Sequence, residues 1–144
     1  MAEVEIIENN VNEVRNALRI AKIRALTIIG IKAEGYAKYL CPVGTPESTG
    51  VKGYRGGTLR NSITNVVQED TVIIGTNVEY GPYVELGTGP YFTPPPEWEQ
   101  FIVPPSQGIG KAYVHARPYL RPAVEDHLNE YRNIIESECQ DAMR

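Results

Sequence analysis

The chain is short of the residues that usually announce a function. It carries two cysteines, two histidines and one tryptophan in 144 residues. Cys41 and Cys139 belong to no C-x-x-C pair, and His115 and His127 are not clustered, so no zinc-type ligand spacing is present. Two partly buried free thiols in a reducing compartment are expected, rather than a disulfide. No apolar run approaches about 18 residues, which excludes a single-helix membrane span. The opening Met1-Ala2-Glu3-Val4-Glu5 is acidic where a secretory signal is basic and then apolar, so folding in a cytoplasm is expected. Positive charge is not in surplus either. The formal net charge is −4, which disfavours a protein whose main task is gripping DNA phosphates.

Catalytic patterns are also missing. Gly44 and Gly50 enclose five residues, with Val51 where a phosphate-binding loop places its lysine. Gly108-Ile109-Gly110-Lys111 lacks both the upstream glycine and the following Ser or Thr. Ser62, His115 and Asp126 are the residue types of a triad, but no Gly-x-Ser-x-Gly elbow or other recognisable context holds them. His127 and Cys139 lie on one helix, too far apart to touch. The expectation is no enzyme, no metal and no cofactor.

What the chain does contain is a regular helix–hairpin–helix order, interrupted by two irregular stretches, in a length that fits one domain. Asn10 followed by Glu13 has the form of a capping box. Val11, Val14, Leu18, Ala21, Ala25, Ile28, Tyr36 and Leu40 then approximate one helical face. Such a helix is about 45 Å long. Gly30 and Gly35 predict a bend or break in its second half, and Pro42 ends it. Residues 42–57 read as a long loop. Leu59–Gln68 and Thr71–Thr76 read as strands around a Glu69-Asp70 turn. Gly81-Pro82 marks a further turn, with Tyr83–Leu86 a short strand or one helical turn.

Residues 87–115 are rich in proline, so neither a helix nor a central strand is expected. They also carry Tyr91, Phe92, Trp98, Phe101 and Tyr113, more aromatic surface than a plain linker holds. The stretch reads as a protruding arm that docks on a neighbouring chain, the alternative being an arm folded back on its own domain. Pro122 opens a last helix, Glu125 and Asp126 suit its positive end, and Leu120, Val124, Leu128, Tyr131 and Ile135 form an apolar stripe.

Charge is divided between the two helices. Residues 11–40 hold six basic and two acidic side chains, and residues 123–144 hold two basic and six acidic ones. The helices therefore pack side by side within a subunit, or additionally pair between subunits in a head-to-tail contact. Glu85, set among Tyr83, Val84 and Leu86, is expected to be partly buried and to need a partner. Arg60, Arg117 and Arg121 are the natural candidates, either within the chain or across a subunit boundary.

Four signatures recur in a fixed order: Pro42-Val43-Gly44-Thr45, Thr58-Leu59-Arg60-Asn61-Ser62-Ile63, Tyr80-Gly81-Pro82-Tyr83-Val84-Glu85-Leu86-Gly87-Thr88 and Ala116-Arg117-Pro118-Tyr119-Leu120-Arg121-Pro122-Ala123. In this order the chain resembles the neck or tail-completion proteins of tailed bacteriophages, like the gene-product-ten family of lambdoid phages. The likeness runs from the first helix to about Tyr131. It departs from the family where a Pro-x-Asp-Thr-Gly run is common, and the loops 44–57 and 88–115 are long, which suits contacts specific to one virus.

The resemblance implies an α+β fold, in which a long N-terminal helix and a C-terminal helix pack on a small antiparallel sheet. It implies a single domain over residues 1–144 with 44–57 and 88–115 as protruding loops. It further implies a structural virion protein at the head–tail junction, made in a bacterial cytoplasm. Such a protein forms a ring, expected to be a hexamer, that joins portal-adaptor and neck proteins to the tail tube and lets DNA pass without specific binding. A tail terminator capping the tube is the near alternative, and a small nucleic-acid-binding module the distant one. The interface candidates are Arg60, Glu85, Arg117, Arg121, Tyr91, Phe92, Trp98 and Phe101. No membrane partner is expected.

Overall fold

Alanine sets how closely the molecule packs on its first helix. In the computed structural model, which describes residues 9–45, 52–53, 56–92, 96–98 and 115–144, α1 runs without a break over Val11–Leu40. Ala21, Ala25, Ile29, Ala33 and Ala37 follow one another at four-residue steps and are all buried. This ridge of mostly small side chains lets two layers approach α1 from different sides. One is a hairpin of β1 (Thr64–Gln68) and β2 (Thr71–Gly75). The other is the C-terminal pair α4 (Arg121–Glu125) and α5 (Leu128–Ala142), with α5 packed along α1. The short helices α2 (Thr58–Ser62) and α3 (Gly81–Leu86) complete the described α-helices, and Gly89–Tyr91 and Pro96–Trp98 form single 3-10 turns. The fold is α+β, with long N-terminal and C-terminal helices around a small antiparallel sheet.

The hairpin register pairs Asn65 with Ile74 and Val67 with Val72 on the face toward α1, and Val66 with Ile73 on the outer face. The turn places Glu69 at φ 42°, a left-handed conformation that a tight two-residue connection demands. Lys22 on α1 pairs with Asp70 there. The hairpin rests on Gly30, where an added Cβ would lie 2.5 Å from Asn65 Oδ1 and 2.9 Å from Val72 Cγ2. Gly30 is therefore a close-approach position and not the expected helix break. Two cores result. One joins Ala37, Cys41, Leu59, Ile63, Tyr119 and Ala123, and the other joins Ile29, Ala33 and Tyr131 with Val72, Ile74 and Ile134.

Several expectations are corrected. Asn10 holds the cap position of α1 with φ −103° and ψ 18°, outside the extended geometry that capping needs, and its side chain makes no cap bond. Asn9 Oδ1 accepts from the Val11 N–H instead, at 3.1 Å. The expected strand Leu59–Gln68 is α2 followed by β1. Leu59 and Ile63 are both buried, a four-residue spacing that suits a helical turn, and Ser62 Oγ donates back to the Leu59 carbonyl at 2.6 Å. The second strand ends at Gly75, because Thr76 Oγ1 accepts from the Val78 N–H and turns the chain. Tyr83–Leu86 takes the helical alternative, inside α3.

The last helix is divided. The Tyr131 hydroxyl donates to the Ala123 carbonyl that an unbroken helix would offer to the His127 N–H. That N–H turns to the Val124 carbonyl, and α5 restarts at Leu128. No helix among the described residues is long and apolar enough to cross a membrane.

Candidate subunit interface

Glu85, the acid set among apolar neighbours in the third signature, is an internal clamp. It sits on α3 with 6 % of its surface exposed. Its Oε2 accepts the N–H groups of Tyr119 and Leu120 at 2.7 and 2.9 Å, and its Oε1 accepts that of Arg121 at 3.0 Å. These amides open α4, so the carboxylate lies where unpaired donors and the helix dipole favour negative charge. The expected pairing with Arg60, Arg117 or Arg121 is not made, because backbone amides take up the acceptor positions. Arg60 is exposed on α2. Arg117 has an exposed side chain, and its N–H donates to the Val84 carbonyl at 2.7 Å. Arg121 Nε donates to Glu125 Oε1 at 2.9 Å.

Tyr119 completes the clamp. It is fully buried, and its hydroxyl donates to the Gly81 carbonyl at 3.1 Å. Burial, reinforced by the Glu85 charge, pushes its phenol far above the ordinary range. Gly81 is required here, since a Cβ would lie 2.7 Å from Thr76 Cγ2 and 3.1 Å from the Tyr119 hydroxyl. Nearby, burial also raises the Cys41 thiol, which keeps it in the unreactive form.

Both long loops leave from closed stems. A Cβ on Gly56 would lie 2.1 Å from the Gly44 carbonyl oxygen, so the two ends of the 44–57 loop touch. At the second loop the Tyr91 and His115 rings stack with centroids 3.6 Å apart. Gly87, at φ 80°, packs against Tyr91 O and Ala116 N. Of the aromatic candidates, Tyr91 is therefore a stem residue, exposed on its outer side, and Phe92 beside it is half-buried. Phe101 and the side chain of Trp98 lie outside the described residues, as does Tyr113.

Apolar surface remains uncovered on three elements. The expected α1 stripe is buried at Ala21 and Ala25 and half-buried at Ile28 and Tyr36, but Val11, Val14, Leu18 and Leu40 are exposed. The end of α5, at Asp141 and Ala142, lies beside Ala17, Ile20 and Ala21, so the first turns of α1 run past it. The C-terminal stripe is likewise only partly used. Tyr131 is buried, whereas Val124, Leu128 and Ile135 are exposed. Val66 and Ile73 expose about half their surface side by side on the outer hairpin face. Ile20, Ile23 and Ile31 add a further exposed row on α1. Their spacing was present in the sequence, but the row was not singled out there.

One polar cluster joins α1 to the C-terminal helices. Tyr36 and His127 stack face to face at 3.6 Å. Glu130 Oε1 accepts from Lys32 Nζ at 2.8 Å, and Oε2 accepts from the Tyr36 hydroxyl at 2.6 Å. The Lys32 ammonium, and then the Tyr36 hydroxyl, hold the Glu130 carboxyl below its ordinary value. This is the charge complementarity of the two helices realised inside one subunit. The cluster borders an open cleft of about 650 Å³ that Tyr39, Leu40 and Asp126 also line. The Glu130 carboxylate beside it is held by Lys32 and Tyr36. Among the described residues no three His, Cys, Asp or Glu side chains converge as a metal site would require.

No family model, no curated protein and no solved structure matches the chain.

Proposed function

We propose that this is a ring-forming structural protein of a phage head–tail junction, which joins portal-side proteins to the tail tube. The ring, expected to be sixfold, surrounds the DNA path and does no covalent chemistry. The observation that carries the reading is the amount of apolar side chain left outside on α1, α5 and the hairpin. A monomer with stripes on three elements carries the surface of an assembly component. The four ordered signatures support it from the sequence side. Glu85, Gly81, Tyr119 and Gly87 hold the last two of those signatures together as one internal joint. The closed stems support it as well, since Gly44 with Gly56, and Tyr91 with His115, hold the ends of two long segments together.

Native mass spectrometry of the purified protein, with negative-stain images of the same sample, tests the reading. A closed ring of about six copies is the expected result. A strict monomer that also fails to assemble on portal-side proteins overturns it.

A further inference from the structure

We propose that the overhanging start of α1 in one subunit docks on the exposed edge of α5 in the next copy of this chain. The inference rests on the ring reading and names the contact that would close it. The two faces match in length. Val11, Val14 and Leu18 stand at i, i+3 and i+7 and are all exposed, with Val11 at 54 %. Leu128 and Ile135 are also seven residues apart and are 48 % and 42 % exposed. At 1.5 Å per residue each strip is about 10 Å long, and seven-residue spacing is what lets two helices interlock along a seam. Val124, also exposed, stands just before the α5 strip in the chain.

The faces also offer charges of opposite sign, although Arg132 stands between Leu128 and Ile135 on the α5 strip. Arg15 and Arg19 lie beside the α1 strip, are exposed, and make no ion pair among the described residues. Glu136 beside Ile135 is exposed and likewise without an ion pair among those residues. Within the subunit the complementarity of the two helices yields a single bridge between them, Lys32 to Glu130. Lys22, Lys38, Glu125 and Asp141 pair with other residues, and Arg15, Arg19 and Glu136 are left for an outside partner. A second copy supplies both halves at once, each strip meeting the other kind. The contact is therefore heterologous, with one donor face and one acceptor face per subunit.

The test uses full-length Leu18→Asp and Ile135→Asp, each a change at an exposed position, checked for an unchanged circular dichroism spectrum. Native mass spectrometry and sedimentation velocity are run on each variant and on their equimolar mixture. Each variant alone should associate at least about thirtyfold more weakly than the parent chain. The mixture should give a 1:1 heterodimer and stop there, because it retains one intact junction. Association of the parent should weaken between 50 mM and 500 mM salt. If the parent forms closed rings that both variants retain, the helix contact is wrong while the ring stands. If the parent forms open chains or dimers that both variants abolish, the contact stands while the ring is wrong. Loss in Leu18→Asp alone, with Ile135→Asp unaffected, overturns the contact, as does a parent chain monomeric at a few hundred micromolar.

Discussion

Removing the Glu85 carboxylate should cost more than removing any ion pair on the surface. Three backbone N–H groups converge on it, at 2.7, 2.9 and 3.0 Å, from buried Tyr119, half-buried Leu120 and exposed Arg121. A hydrogen bond to a charged acceptor contributes about 1.5–3 kcal/mol, and a buried donor left without a partner costs about 1–3 kcal/mol. Water reaches the Leu120 and Arg121 amides in Glu85→Ala, so the three losses do not add in full. A destabilisation of about 3–5 kcal/mol is expected, a large part of the stability of a small domain. Glu85→Gln separates charge from shape. Its single carbonyl oxygen can replace Oε2, which holds Tyr119 and Leu120, but its NH₂ group then faces the Arg121 N–H as donor against donor. A loss of about 1–3 kcal/mol is expected there. Glu85→Asp keeps the charge and shortens the reach, and should fall between the two. Urea unfolding followed by circular dichroism measures all three. An alanine variant within about 0.5 kcal/mol of the parent would refute the clamp. So would a glutamine variant as damaging as alanine, since the geometry assigns it two surviving bonds.

Two further outcomes follow from particular atoms. Gly30→Ala should destabilise by about 1–3 kcal/mol, because its Cβ meets Asn65 and Val72. Gly35→Ala, five residues on in the same helix with nothing within 4 Å of its Cβ, should stabilise by about 0.5–1 kcal/mol through helix propensity; thermal melts of the pair check the opposite signs. For pH, the Glu130 carboxyl is more acidic folded than its ordinary value of 4.5, so its contribution is complete above that pH and drains away as pH falls through the lowered value. Glu130→Gln should therefore lie below the parent at neutral pH and converge with it in acid, as urea midpoints between pH 7 and pH 3 will show.

The elements were legible where a residue type has one structural meaning. Pro42 ends α1, and Cys41 before it is extended with ψ 123°, as a residue preceding proline must be. The Glu69-Asp70 turn and the start of α4 at Arg121-Pro122 were also readable. Failures came where two periods fit the same letters. Leu59 and Ile63 suit a strand by composition and a helix by spacing, and the Ser62 hydroxyl tips the balance by bonding backward. Likewise the break after Glu125 depends on Tyr131 reaching the Ala123 carbonyl, a contact eight residues away that no local pattern records. Glu85 was read as partly buried and is almost fully so, and its partners were misassigned. Charge suggests a guanidinium, but the helix start offers three donors in a fixed cluster at no side-chain entropy cost.

The exposed stripes show a deeper limit of pattern reading. Periodicity identifies which face of a helix avoids water, not what covers it. The α1 stripe from Val11 to Leu40 was read as one apolar helical face, and the molecule covers only its middle. Helix length explains the difference. At 30 residues α1 is twice as long as α5, with 15, and α5 ends beside Ala17 and Ala21, leaving the first turns of α1 without a partner helix. Had the surplus length been polar, α1 would simply project into solvent. It carries Val11, Val14 and Leu18 instead, and the helix too short to cover them bears an apolar edge of its own at Leu128 and Ile135. A chain that leaves matching apolar and charged strips on elements of unequal length has surface to satisfy outside itself. A second copy offset along the helix axis provides that surface without any further partner.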